Sequence, residues 1–137
     1  MNIIYFVPNI TIAGGIFRIV SDKMNYLAEN MEGRLFLAYY GNGQEKPIYP
    51  LHPNIQLLPI DIEWKVGFGK KINRVWKNIS IIRHIFKKYK IDIAVNANAP
   101  LLIWILPFIC RRIKKIHEFH FSYKGQQIFC LLYTSDA

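Results

Sequence analysis

The sequence predicts an α/β fold, a doubly wound parallel sheet of about five strands. Three observations lead there. Short apolar runs rich in β-branched and aromatic residues recur at residues 3–7, 34–40, 55–60, 91–96 and 116–121, the pattern of buried strands. Between them lie segments of helical period, at residues 16–31 and from about Lys71 to Lys90. A chain of 137 residues that is 52% hydrophobic can bury one sizeable core and is too apolar for disorder.

The first strand runs into Pro8-Asn9-Ile10-Thr11-Ile12-Ala13-Gly14-Gly15, a loop of several residues before a helix. Adjacent glycines allow close backbone approach, and a helix N-terminus offers unpaired N–H groups to an anion. The loop is therefore a candidate phosphate site, with simple relief of a turn as the alternative. It matches neither G-x-G-x-x-G nor a P-loop. On the helix, Ile16, Ile19, Val20, Met24, Leu27 and Ala28 form the expected apolar face, and Gly33 the expected C-cap.

The second strand ends at the turn Gly41-Asn42-Gly43, and Pro47, Pro50 and Pro53 mark an extended loop. Pro59 in the third strand predicts a sheet edge. The second helix is expected to bury Ile72, Val75, Trp76, Ile79, Ile82, Phe86 and Tyr89, and to expose Lys70, Arg74, Lys77, His84 and Lys88. Residues 97–110 read as a third helix, opened by Asn98 and Pro100 and shortened by Pro107. Alternating strands and helices give the strand order 3-2-1-4-5, with ligands at the carboxyl ends near the switch between strands one and four. Gly14, Gly15, the Asn96-Ala97-Asn98 loop and His120 would open onto that edge.

Charge and cysteine content limit the function classes. The formal net charge is +9, and residues 65–90 hold nine Lys or Arg with no acid. That run suits an anionic membrane or a phosphorylated substrate, with Lys70, Lys71, Arg74, Lys77 and Lys88 as the membrane-binding candidates. A solvated outer face is the alternative. Nucleic acid would satisfy the same charge, but no helix-turn-helix, zinc-finger or RNP pattern is present and none is expected as partner. The longest uninterrupted apolar run, residues 99–110, contains two prolines and falls short of the roughly 20 residues a spanning helix needs. No basic region precedes Ile3 as in a signal peptide, so a cytoplasmic location is expected.

Residues 130–137 look like a translated sequencing adapter, a non-native tail. The native sequence is then expected to stop near Phe129, as a truncated reading frame, leaving Cys110 as its one cysteine. His117 and His120, three apart on a strand, cannot face one metal ion together.

The order of strand, long loop, Gly-Gly-x-x-Arg at Gly14 to Arg18, Asp92 within Ile-Asp-Ile, and Ile116-His-Glu-Phe-His-Phe-Ser122 resembles the N-terminal domain of GT-B-fold glycosyltransferases of family 4. The resemblance spans nearly all of residues 1–129 and implies a Rossmann-like domain on the acceptor side. It also implies a second, nucleotide-binding domain that this sequence lacks. The implied activity is retaining transfer from a nucleotide diphosphate sugar to a glycan or lipid-linked acceptor, with no cofactor and no essential metal. By position, Gly14, Gly15 and Arg18 would meet the donor diphosphate and acceptor, and His120 would contact the donor sugar as the catalytic candidate. Asn98 and Glu118 would complete the substrate-binding set. Glu118, on the face of His120, would orient it or touch acceptor, unless it merely pairs with Lys114 or Lys115. The competing function is a non-enzymatic basic α/β module that binds an anionic ligand.

Overall fold

The computed structural model describes residues 1–13, 15–60, 72–97, 102 and 105–118, with the side chains of 72–75 outside that set. Its elements are β1 (Asn2–Val7), α1 (Gly15–Asn30), β2 (Arg34–Tyr40), β3 (Ile55–Ile60), α2 (Ile72–Lys88), β4 (Ile93–Ala97), a 3₁₀ helix (Leu106–Phe108) and β5 (Lys114–Glu118). The five strands form one parallel sheet in the order β3-β2-β1-β4-β5, a Rossmann-like α/β fold. Pro59 lies on the edge strand β3, opposite Tyr39, where its missing N–H removes no ladder bond.

Strand alternation divides the core into two layers. One face buries Ile4, Phe6, Phe36, Ala38 and Ala94 against Ile82, Ile85 and Phe86 of α2 and against Leu102, Leu106 and Ile109. The other buries Tyr5, Val7, Leu37, Tyr39 and Val95 against Phe17, Val20 and Met24 of α1. Both faces of β1, at the centre, are apolar because both are covered, as expected of a parallel sheet.

Both helix faces differ in part from their expected composition. In α1, Ile19 is 40% exposed, and Phe17, 5% exposed, takes its place beside Tyr49 with ring centroids 5.7 Å apart. In α2, Trp76 is 64% exposed while Asn78 is 5% exposed. The inward direction of α2 is centred on Ile82, Ile85 and Phe86, and at 100° per residue Trp76 falls outside that arc. Gly33 is not a C-cap, since α1 ends at Asn30. It sits in the turn before β2 with φ +130°, and a Cβ there would collide with the Met1 carbonyl.

Two strands begin elsewhere than expected. β4 starts at Ile93, because Asp92 is used at the amino edge of the sheet: its N–H donates to the Asn2 carbonyl and its carboxylate accepts from the Asn2 N–H, both at 2.8 Å. β5 starts at Lys114, two residues early, paired with Ile93. In the segment between them, Pro107 stands in the first turn of the 3₁₀ helix, the tighter turn that its locked φ accommodates. The rest of the expected third helix lies largely outside the described residues.

Candidate functional site

The carboxyl edge of β1 is the switch point, since β2 pairs on one side and β4 on the other. From Val7 the chain enters a loop fixed by Ile10, which is fully buried and accepts a 2.9 Å bond from the Ile48 N–H. The Pro8 carbonyl accepts from the Tyr40 N–H at 3.3 Å. Thr11, Ile12 and Ala13 are exposed beyond this anchor. Gly14 lies outside the described residues.

Gly15 opens α1. Its φ is not in the left-handed region, and a Cβ added there would meet nothing within 4 Å. Neither backbone strain nor packing against the described residues therefore demands glycine at this position. Arg18 is exposed on the first turn, which carries no acidic residue, and no ion pair joins it to Asp22 among the described residues. A cation beside the positive end of the helix dipole is poorly placed for the helix and well placed for an anion.

β4 and β5 bring two polar groups together inside the sheet. Asn96 is opposite His117, and the Asn96 Nδ2 donates to His117 Nδ1 at 2.9 Å, which leaves the imidazole proton on Nε2. Asn96 is 1% exposed, so it belongs to the strand interior and not to a loop. Burial pushes the His117 pKa down to about 3, so its ring is neutral near pH 7.

Glu118 points to the opposite face, as strand alternation requires. Its Oε1 accepts from Lys23 Nζ of α1 at 2.9 Å. Among the described residues its ion-pair partner is thus a helix lysine and not Lys114 or Lys115; the Lys115 Nζ donates to the Cys110 carbonyl at 2.7 Å. Beside this pair, Tyr5, Asp22, Lys23, Tyr26 and Leu27 line an open cavity of about 450 Å³. Burial, and then the negative charge of Glu118, raises the Tyr5 pKa to about 12 and keeps the phenol protonated. The cavity lies on the α1 face and does not include Gly15 or Arg18.

Of the residues expected to form the site, Gly15, Arg18 and Glu118 are described, while Gly14, Asn98 and His120 lie outside the described residues. The same holds for Lys70 and Lys71, and for the side chain of Arg74; Lys77 and Lys88 are exposed on α2. Two pairings were missed in the sequence. Asn96 with His117 has a detectable signal, since an asparagine inside a buried apolar strand needs a polar neighbour. Lys23 with Glu118, 95 residues apart, has none. Among the described residues no three His, Cys, Asp or Glu side chains converge on a possible metal position. No described helix is long and apolar enough to cross a membrane. The chain matches no protein-family model and no curated protein sequence.

Proposed function

We propose that the chain is the N-terminal, acceptor-side part of a retaining glycosyltransferase. It helps move a sugar from a nucleotide diphosphate sugar to a glycan or lipid-linked acceptor, and is inactive without a second nucleotide-binding domain. The observation that carries this reading is Gly15: a glycine at the first position of α1, on the switch-point edge, that the described structure does not need for its own packing. Such a position leaves room for a ligand to reach the backbone N–H groups.

In this reading the N–H groups of the first turn and the Arg18 guanidinium offset the charge that develops on the departing diphosphate. His120 contacts the donor sugar and holds it at the reaction centre. Glu118, tethered by Lys23, borders the acceptor side. The protein acts in the cytoplasm, peripheral to a membrane that it meets through the cations of α2.

The test is sugar transfer by the complete enzyme together with its melting temperature. His120→Ala and Gly15→Val should each abolish most transfer while leaving melting nearly unchanged. Transfer equal to wild type in both variants sinks the assignment. Nucleoside diphosphate binding that persists in a complete protein without transfer would instead favour the basic anion-binding module.

A further inference from the structure

Acidic residues are distributed unevenly across the sheet. From Ile72 to Ile113 the sole acid is Asp92, and its carboxylate is bonded to the Asn2 N–H at the amino edge. Among the described residues, the layer built from α2 and the 3₁₀ segment therefore carries no acid on its outer surface. Asp22 and Glu29 belong to α1, and Glu118 faces α1, on the opposite layer.

The outer surface of the α2 layer also exposes two large aromatic side chains. Trp76 is 64% exposed and Phe108 is 72% exposed. At helical spacing Trp76 shares one stripe with Ser80, Arg83 and Lys87, all exposed, directly opposite the buried Ile82 and Ile85. Phe108 ends the 3₁₀ helix, and Arg111 and Arg112 follow it, both exposed. That turn is held in place: the Ile109 N–H donates to the Leu106 carbonyl, and the Cys110 carbonyl accepts from both the Ile113 N–H and the Lys115 Nζ.

We infer that the outer surface of this layer docks on an anionic lipid membrane, with Trp76 and Phe108 as anchors and Arg83, Lys87, Arg111 and Arg112 as lipid-facing cations. The proposal extends the membrane contact of the reading above from one helix to a surface made of two segments, and does not depend on sugar transfer. Three physical points select lipid. Charge of a single sign among the described residues of this surface favours an anionic partner. Exposed aromatic side chains beside the cations suit a membrane surface: the Trp76 indole, an apolar ring with a polar N–H, fits the level of the headgroups, and the wholly apolar Phe108 ring gains by leaving water for the acyl boundary. Single-stranded nucleic acid is held by grooves that stack successive bases, whereas the cavity found among the described residues lies on the other face, and no duplex-reading motif is present in the sequence. Because Ile82, Ile85 and Phe86 hold α2 in the core, the surface docks as a fixed body and only the anchors insert.

The experiment is co-sedimentation of the 137-residue chain with vesicles of phosphatidylcholine, with and without phosphatidylserine at a level on the order of 30%. Binding should require phosphatidylserine. It should also weaken sharply as salt shortens the screening length from about 10 Å at 0.1 M to about 3 Å at 1 M. Arg111→Ala with Arg112→Ala should lower partitioning roughly 30-fold, at about fivefold for each cation near the surface. Trp76→Ser and Phe108→Ser should each lower it on the order of tenfold at unchanged charge. Lys46→Glu, exposed on a different part of the molecule, controls for net charge against Arg83→Glu. Circular dichroism confirms that each exposed-site variant is folded. The proposal is overturned by binding indifferent to phosphatidylserine, by equal losses in Lys46→Glu and Arg83→Glu, or by Trp76→Ser and Phe108→Ser binding like wild type. Tighter capture by an arbitrary oligonucleotide than by vesicles, without dependence on Trp76, overturns it in favour of nucleic acid. Loss of lipid binding leaves nucleoside diphosphate binding untouched, so the two readings fail separately.

Discussion

Asn96 Nδ2 lies 2.9 Å from His117 Nδ1, across the neighbouring strands β4 and β5. The bond fixes the tautomer of a histidine whose pKa burial has lowered from 6.5 to about 3. In the unfolded chain the same imidazole takes up a proton near pH 6.5, so between these values the unfolded state binds more protons than the folded one. The His117 contribution to stability is therefore flat above pH 6.5 and falls as the pH drops below it. By pH 5 the loss should be about 2 kcal/mol, read from urea midpoints. His117→Gln keeps a group that can accept from Asn96 and removes the titration, so its pH profile should be flatter in this window. An unchanged profile would mean that other groups cause the slope.

The ion pair of Lys23 and Glu118 links the helix after the first strand to the last described strand. Lys23 is 47% exposed and Glu118 17%, so water screens the pair, and its loss should cost no more than about 1 kcal/mol. Lys23→Met should lower the urea midpoint slightly and make it less sensitive to salt. Lys23→Glu should be worse, because it sets two carboxylates against each other. Adding Glu118→Lys to Lys23→Glu should recover most of that loss, and a failure to recover would show that the geometry, not the charge, matters.

Two glycines make opposite predictions. Gly33 has φ +130° and no room for a Cβ beside the Met1 carbonyl, so Gly33→Ala should destabilise by about 1–3 kcal/mol. Gly15 has an ordinary φ and open space, so Gly15→Ala should be neutral or stabilising by up to about 1 kcal/mol through the unfolded chain. Thermal melts of the two variants decide this. A large loss in Gly15→Ala would remove the argument that this glycine serves a ligand.

The sheet was legible in the sequence because its signals are local and reinforce one another: apolar runs, glycine and proline punctuation, and alternation with helices. Pro59 even marked the edge strand. Positions on helix faces were less legible, since Trp76 and Ile19 are apolar yet exposed, and a hydrophobic period cannot tell which margin of the apolar arc the sheet covers. Asn96 with His117 required the β4–β5 register, which no local pattern supplies. Lys23 with Glu118 required knowledge of where α1 crosses the sheet. Of the candidate site, the switch-point edge and the places of Gly15 and Arg18 in the first turn of α1 were readable because they depend on chain order alone.

Ile10 tests whether the loop at that edge is held by one buried side chain. It is fully buried among Tyr5, Val7, Phe17 and Tyr39, and its carbonyl accepts the Ile48 N–H at 2.9 Å. Ile12, two residues on, is 62% exposed. Ile10→Ala should therefore cost about 2–5 kcal/mol, through lost burial and the cavity left behind, while Ile12→Ala should stay within about 0.5 kcal/mol of wild type. Ile10→Val removes one methylene and should cost about 0.5–1.5 kcal/mol, which leaves enough folded protein to measure ligand binding. If the loop approaches a diphosphate, Ile10→Val should weaken nucleoside diphosphate affinity in the complete protein, because the anchor sets the position of the backbone leading into Gly15. Unchanged affinity in Ile10→Val together with equal stability losses for Ile10→Ala and Ile12→Ala would show that Ile10 neither fixes the loop nor positions the candidate site.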